Sequence, residues 1–473
     1  MGMRIEDWDP DLARHSGPKF KALANALREA ARSGELAPGT RLPPMRDLAW
    51  RLKVTTGTVA RAYQLAATEG VVESHVGRGS FIAAPRSDRP APQPLLYESV
   101  DRADGGDEIA DLRVPRLPDL GQSATIGRIL AQVAAEMDED VLDYTPLRRD
   151  LACREILVDW MAHRPVGGLD ADDLVLTNGG QHAITLVMSL ALADRPGKVM
   201  VESLTYPGIV QAARLMRTET LAVAMDDQGM IPADLERVTR ESGARLICLT
   251  PSAQNPTLAS MGHERRSQIV AIARRHDLQI IEDECYAPSR HTDALPTLRM
   301  LAPERVWHVA SLSKVVAAGL RFGMMICPEG MGQSARIAAQ HSHMGISLPI
   351  LALVRRLIEG GEAARIAHDV LVEVEDRRWL ALDMLGGLGA VTQPGVPLLW
   401  LPLPAPWRAE DFVARAAASG VILRPASDFR VGSGKTPEAV RISLNCRQDR
   451  ARLAEALATI AQMAHSGPDI GPE

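Results

Sequence analysis

Residues 306–323 read VWHVASLSKVVAAGLRFG. An apolar run, Val306–Ala310, ends at Ser311, and Lys314 follows among small and hydroxyl residues, with Arg321 seven positions further on. A lysine that only solvates a surface belongs on an exposed helix face. This one stands at the end of an apolar run, and a parallel sheet presents its ligands just beyond the carboxyl ends of its strands. A single lysine is weak evidence, so its company decides the reading.

Outward from this stretch, strand-like runs alternate with helical ones. LVLT (174–177) precedes a helix from Gln181, VMVES (199–203) precedes a helix after Pro207, and LICLT (246–250) precedes the helix GHERRSQIVAIARRH (262–276). QIIED (279–283), VWHVA (306–310) and GMMIC (323–327) complete the set. Repeated β-then-α order predicts an α/β unit with a mostly parallel sheet and helices on both faces. The longer helices and mixed segment at about 346–465 predict a smaller C-terminal α+β subdomain.

The strand ends carry a chemically coherent set. Asn178-Gly179-Gly180-Gln181 opens a helix, whose free backbone N–H groups suit a phosphate. Tyr206 follows VMVES, Asn255-Pro256 follows LICLT, Asp283 ends QIIED with Tyr286 three residues on, and Ser311, Ser313, Lys314 and Arg321 follow VWHVA. Pyridoxal 5'-phosphate needs such groups. Its phosphate takes a helix start and a guanidinium, its ring nitrogen a carboxylate that keeps it protonated, and its aldehyde a lysine. Tyr286 and Asn255 are expected at the ring oxygen, and Tyr206 stacked on the ring. Each residue has an ordinary alternative: Asp283 a cap, the tyrosines core residues, the glycines a plain turn, Arg321 a surface ion pair. Their coincidence at strand ends favours the cofactor.

The amino-terminal stretch is a different unit. Phe20, Leu23, Ala24, Leu27 and Ala31 recur at helical spacing up to Gly34, and Pro38-Gly39 makes a turn. A short helix after Pro43-Pro44 buries Leu48, Ala49 and Leu52, and another runs from about Thr55 through Val59, Ala62, Tyr63 and Ala66 to Gly70. Two helices so closely joined form a helix-turn-helix, and VVESHVGRGSFIA (71–83) adds a two-stranded wing around Gly77-Arg78-Gly79. This winged helix-turn-helix is expected to bind double-stranded DNA, with Thr55, Thr56, Thr58 and Arg61 toward the major groove and Arg46 and Arg78 toward phosphate or minor groove.

Charge agrees with this division. The 473 residues carry a net charge of −6, yet residues 17–84 hold ten Lys/Arg against five Asp/Glu, so the basic end sits on an acidic remainder. The expected boundaries are 1–84 for the DNA-binding domain, 85–110 for a Pro-rich flexible linker and 111–473 for the effector domain. The five cysteines are scattered without a C-x-x-C pair, and neither a signal-peptide core nor an apolar run of membrane-spanning length occurs, so a reducing cytoplasm is expected. GSGKT (432–436) lacks the first glycine of a phosphate-binding loop and reads as a turn. His341 and His343 lack further metal-type ligands and read as a solvated helix face, so no metal site is expected.

SLSKVVAAGLRFG, IIEDECY, TPSAQNPT and LVLTNGGQHAI resemble the lysine, acid-tyrosine, asparagine-proline and phosphate segments of fold-type I aminotransferases. With the winged helix, residues 17–465 resemble the MocR subfamily of GntR-type transcriptional regulators. The resemblance implies that Arg441 in AVRISLNCR grips an amino acid's α-carboxylate and that Tyr144 in LDYTPLRRD reaches the cofactor phosphate of a neighbouring subunit in a head-to-tail homodimer. It also implies a regulator that senses an amine or amino acid through an external aldimine formed at the expense of Lys314. A working aminotransferase with an accessory DNA-binding domain, and a scaffold that takes no cofactor, are the alternatives. Three departures stand out: Leu258 where the family usually has glycine after Asn-Pro-Thr, Arg148-Arg149 where it usually has glycine, and Thr55-Thr56 where it often has Ser-Arg.

Overall fold

The computed structural model describes residues 8, 10–12, 18–33, 35–37, 39–68, 71–75, 79–83, 109–193, 197–284, 286, 295–446 and 448–468. The expected linker, the Arg78 wing tip, Gly34, Gly70 and Cys285 fall wholly or mainly outside these residues. The chain divides into two units, Met1–Leu95 and Leu96–Glu473.

In the first unit, α1 (Lys19–Ser33), α2 (Met45–Arg51) and α3 (Thr56–Thr68) precede an antiparallel pair, β1 (Val72–His75) and β2 (Gly79–Ile82). Leu23, Leu27, Leu48, Val59, Ala62, Tyr63 and Ile82 meet in one core, with Trp8 buried among them. The Tyr63 hydroxyl donates to the Pro43 carbonyl at 3.0 Å, which ties α3 to the turn before α2. Arg41 bridges to Phe81 and so extends the wing pair.

The second unit begins with α4 (Gln122–Ala135) and α5 (Leu151–Met161) and continues as β3 (Leu174–Thr177), α6 (Gly180–Ala191), β4 (Lys198–Glu202), α7 (Pro207–Leu215), β5 (Glu219–Val223), β6 (Leu246–Leu249), β7 (Gln279–Asp283), β8 (Val306–Ser311) and β9 (Gly323–Ile326). These strands form a seven-stranded sheet in the order β3-β9-β8-β7-β6-β4-β5. Only β9 runs against its neighbours β8 and β3; the remaining pairings are parallel. Both faces are buried, as a parallel sheet requires. Leu174, Leu176, Ala310, Met324 and Ile326 enter one core, while the alternating Val175, Val309 and Met325 enter another.

Beyond the sheet come α8 (Gly332–His343), α9 (Leu348–Glu359) and α10 (Glu362–Leu385). Residues from Ile346 to Val374 pack with the sheet's core, whereas Ala381 and Leu385 belong to a second core built on a four-stranded antiparallel sheet. That sheet includes β10 (Leu398–Pro402) and β11 (Ala439–Ser443), and Ala110 and Leu112 pack into its core. A single helix therefore serves both cores. Between them Arg377 pairs with Glu373 at 2.6 Å and donates to the carbonyls of Leu444 and Gln448 at 3.1 and 3.0 Å.

Leu258 lies in an apolar cluster with Leu204, Leu398, Trp400 and Phe429, fully buried, with a left-handed φ of +63°. Left-handed backbone costs a branched residue about 1–2 kcal/mol, and burying a leucine returns about 1.5–3 kcal/mol, so burial outweighs the strain. Leu258→Gly relaxes the backbone but empties the site, and the expected result is a net loss of about 1–3 kcal/mol in a urea denaturation series.

Candidate functional site

The anion cradle forms where β3 turns into α6. Gly179 is the N-cap at φ +86°, and no side chain caps the helix, so its first backbone N–H groups open toward the rim of the sheet. Arg321, itself left-handed at φ +47°, donates from Nη2 to the Asn178 carbonyl at 3.1 Å. A Cβ on Gly179 would lie 2.7 Å from that Nη2, so the guanidinium reaches the turn only because residue 179 is glycine. Gln181 donates from Nε2 to the Gly208 carbonyl at 2.7 Å. A Cβ on Gly208 would lie 2.2 Å from both Gln181 Oε1 and the Tyr206 ring, so this glycine lets the aromatic face and the cradle sit together.

The acid ends one strand, and the lysine follows the end of the neighbouring one. Asp283 is buried at the end of β7 and pairs with Val309 of β8, two residues before Ser311. The chain then turns through Ser313, which is buried, to Lys314. Lys314 Nζ donates to the Pro115 carbonyl at 3.3 Å and lies 5.8 Å from the centre of the Tyr286 ring. The lysine is thus half-buried against an aromatic ring, away from any solvated helix face.

Arg441 in β11 is 4% exposed. Its guanidinium donates to Asn255 Oδ1 at 2.9 Å and to the Arg113 carbonyl, and lies 4.9 Å over the Phe429 ring. The bond to Asn255 turns the amide's oxygen toward Arg441 and its NH2 group away from it. Tyr144 stands apart from this assembly, at 78% exposure.

Two residues at the site gave little signal in the sequence. Glu202, the last residue of β4, is fully buried, and its Oε2 accepts from Gln254 Nε2 at 3.2 Å. The same Gln254 nitrogen reaches the Leu204 carbonyl at 2.6 Å, while Gln254 Oε1 accepts from the Thr257 amide at 3.0 Å and hydroxyl at 2.7 Å. Gln254 therefore braces the segment before Tyr206 against the segment that carries Asn255. A glutamate closing an otherwise apolar strand and a glutamine just before Asn-Pro were the available hints.

In the amino-terminal unit, Arg46, Thr55, Thr56 and Arg61 are exposed and Thr58 is half-exposed. Thr55 also caps α3: its Oγ1 accepts from the Thr58 amide at 3.2 Å and lies 2.9 Å from the Thr58 hydroxyl. Arg61 lies 5.4 Å over the Phe20 ring, and Arg78 is outside the described residues. Arg41, which sequence reading passed over, lies beside the wing: a Cβ on Gly79 would come within 3.3 Å of its Nε.

The model of the aminotransferase class I and II family matches residues 109–460, and that of the gntR family of bacterial regulatory proteins matches residues 20–82. The chain belongs to the class I and II aminotransferase family. Its amino-terminal domain is of the gntR type. An uncharacterized HTH-type transcriptional regulator of Bacillus subtilis, YdeF, is 27% identical over 473 residues, covering 96% of each chain. The HTH-type transcriptional regulator TauR of Rhodobacter capsulatus is 26% identical over 452 residues, covering 86% of this chain and 88% of TauR. Among solved structures, the α-aminoadipate aminotransferase LysN of Thermus thermophilus superposes with a TM-score of 0.66 at 24% identity, covering 76% of this chain and 92% of LysN. The last comparison bears on the fold: a fold-type I aminotransferase architecture.

Within this aminotransferase-family unit, burial pushes the Glu202 carboxyl up to about 8, and the charge of Asp283 adds to the rise. A carboxyl whose folded pKa is raised contributes its full stability below its unfolded pKa and loses it as pH climbs through the folded value. Stability should therefore decline as pH rises from about 4.5 toward 8. Glu202→Gln, which cannot ionise, is expected to flatten that decline in denaturation midpoints measured across the same range.

Proposed function

We propose that the chain is a pyridoxal 5'-phosphate-dependent transcription regulator, which binds operator DNA through its winged helix and senses an amine or amino acid at the rim of the large sheet. The observation that carries the reading is one rim on which Lys314, the buried Asp283 and the Gly179–Arg321 cradle all stand. The cradle fits a phosphate because glycine leaves room for the guanidinium beside open helix amides. The lysine and the acid suit the two ends of the cofactor's ring system.

When bound, the cofactor supplies an aldehyde that condenses with primary amines and a ring that withdraws electrons. The chain's residues do the rest. The Lys314 amine would hold the aldehyde and give it up to an effector's amine. Asp283 would keep a proton on the ring nitrogen, Tyr286 and the Asn255 amide would donate to the ring oxygen, Tyr206 would cover the ring face, and Ser311 and Ser313 would support the Lys314 turn. Gly179, Gly180, Gln181 and Arg321 would hold the phosphate. Arg441, aimed by Asn255 and Phe429, takes an effector's carboxylate. Exposed Tyr144 reaches the phosphate held by the partner in a head-to-tail homodimer. Effector occupancy shifts DNA affinity by linkage, because the ligand binds one arrangement of the protein better than another.

Purified wild-type protein is expected to absorb as a cofactor–lysine adduct, and borohydride should fix a pyridoxyl group on the Lys314 peptide. Lys314→Ala should abolish the absorbance, the label and the effector response while leaving basal operator binding intact. A response that persists would falsify covalent sensing. Single-turnover release of a keto acid would instead make the unit an enzyme. On the DNA side, a dimer that neutralises about six phosphates should show a slope near −5 in log affinity against log salt. An almost salt-independent affinity, measured by anisotropy, would rule out the phosphate contact assigned to Arg46.

A further inference from the structure

His182 occupies the first turn of α6, and both of its ring nitrogens are engaged. The Asn178 backbone N–H donates to His182 Nδ1 at 3.1 Å, so that nitrogen carries a lone pair and the proton sits on Nε2. Nε2 lies 3.1 Å from Ser342 Oγ, to which it donates. Asn178 is therefore held at both backbone groups, its N–H by His182 and its carbonyl by Arg321 at 3.1 Å.

The surroundings keep this ring neutral and in place. His343 packs edge-on against it, with ring centres 4.5 Å apart at 78°. Burial, with His343 adding to it, pushes His182 down to about 4. The expectation of a solvated histidine face on this helix thus holds for exposed His341, whereas His343 turns inward to pack on His182. Ser342 and His343 are the last two residues of α8. The connection beyond them, Met344 at φ +58° and Gly345 at φ +85°, leads to α9. It is tied to the Tyr144 segment, because Gln340 Nε2 donates to the Thr145 carbonyl at 3.2 Å and Thr145 Oγ1 donates to the Ile346 carbonyl at 3.4 Å.

We propose that His182 is a positioning residue, which through Nδ1 holds the 178–181 turn in the shape that receives a phosphate and through Nε2 links that turn to Ser342 at the end of α8. The physical reason is preorganisation. Backbone amides bind an anion well when they already converge on it, and a turn free to rotate about Asn178 must be ordered at the moment of binding. The inference rests on the reading that this cradle takes the cofactor's phosphate.

The test uses the full-length chain stripped of cofactor and titrated with pyridoxal 5'-phosphate. Affinity is read by absorbance, the state of the bound phosphate by phosphorus NMR, and the link to α8 by hydrogen exchange over residues 341–347. His182→Ala is expected to weaken affinity by about 10-fold or more and to shift the phosphorus resonance. His182→Asn, whose side-chain oxygen stands close to where Nδ1 stood, should recover affinity to within about threefold of wild type. Ser342→Ala should retain most of the affinity yet lose the slowing of exchange over 341–347 that loading produces in the wild type. Wild-type affinity and an unmoved resonance in His182→Ala overturn the positioning role. So does a His182→Asn variant as impaired as His182→Ala, and an unaltered exchange response in Ser342→Ala overturns the link. If the wild type itself takes up no cofactor and borohydride leaves Lys314 unlabelled, the cofactor reading fails first. Labelled wild type with an indifferent His182→Ala overturns this inference alone.

Discussion

The arrangement of the rim depends on strand direction. Six of the seven strands run the same way, so Thr177, Glu202, Leu249, Asp283 and Ser311 all end on one rim. Parallel strands a few ångströms apart bring residues from distant parts of the chain within reach of a single small molecule. No individual residue would mean much without that constraint. Asp283 and the turn that carries Lys314 leave the sheet side by side because β7 and β8 are neighbours in register.

The rim is then shaped by close approaches that only particular residues permit. Gly179 admits the Arg321 guanidinium, and Gly208 lets Tyr206 lie against Gln181. Gln254 and buried Glu202 tie the Tyr206 and Asn255 segments together from beneath. A carboxyl so deeply buried is tolerated because one oxygen is hydrogen-bonded and the group favours its neutral form at moderate pH. Electrostatics at the rim thus reaches below the residues that touch a ligand.

How much of this could be read from the sequence follows from range. The alternation of LVLT, VMVES, LICLT and QIIED with helical stretches is local, and it anticipated the sheet, its largely parallel pairing, Asp283 at a strand end and Lys314 just beyond one. The wing and the three helices of the amino-terminal unit were legible for the same reason. Leu258 announced itself as a departure, though not that burial would hold it in a left-handed conformation. Long-range contacts left weaker traces. His182 looks like any residue in the first turn of a helix until Ser342, 160 positions away, is placed beside it. Arg41 gives no hint of the wing before the bridge to Phe81 forms. The passage from one core to the other occurs inside an uninterrupted helix, so no break in periodicity marks it.

That shared helix has a mechanical corollary. At 24 residues α10 is about 36 Å long, one stiff rod rooted at its start in the large core and at its end in the small one. The Glu373–Arg377 pair and the carbonyls it grips sit near mid-span, like a fulcrum. The strand β11, which carries Arg441, belongs to the core at the far end of the rod. Anything that bends this rod would therefore disturb both cores at once.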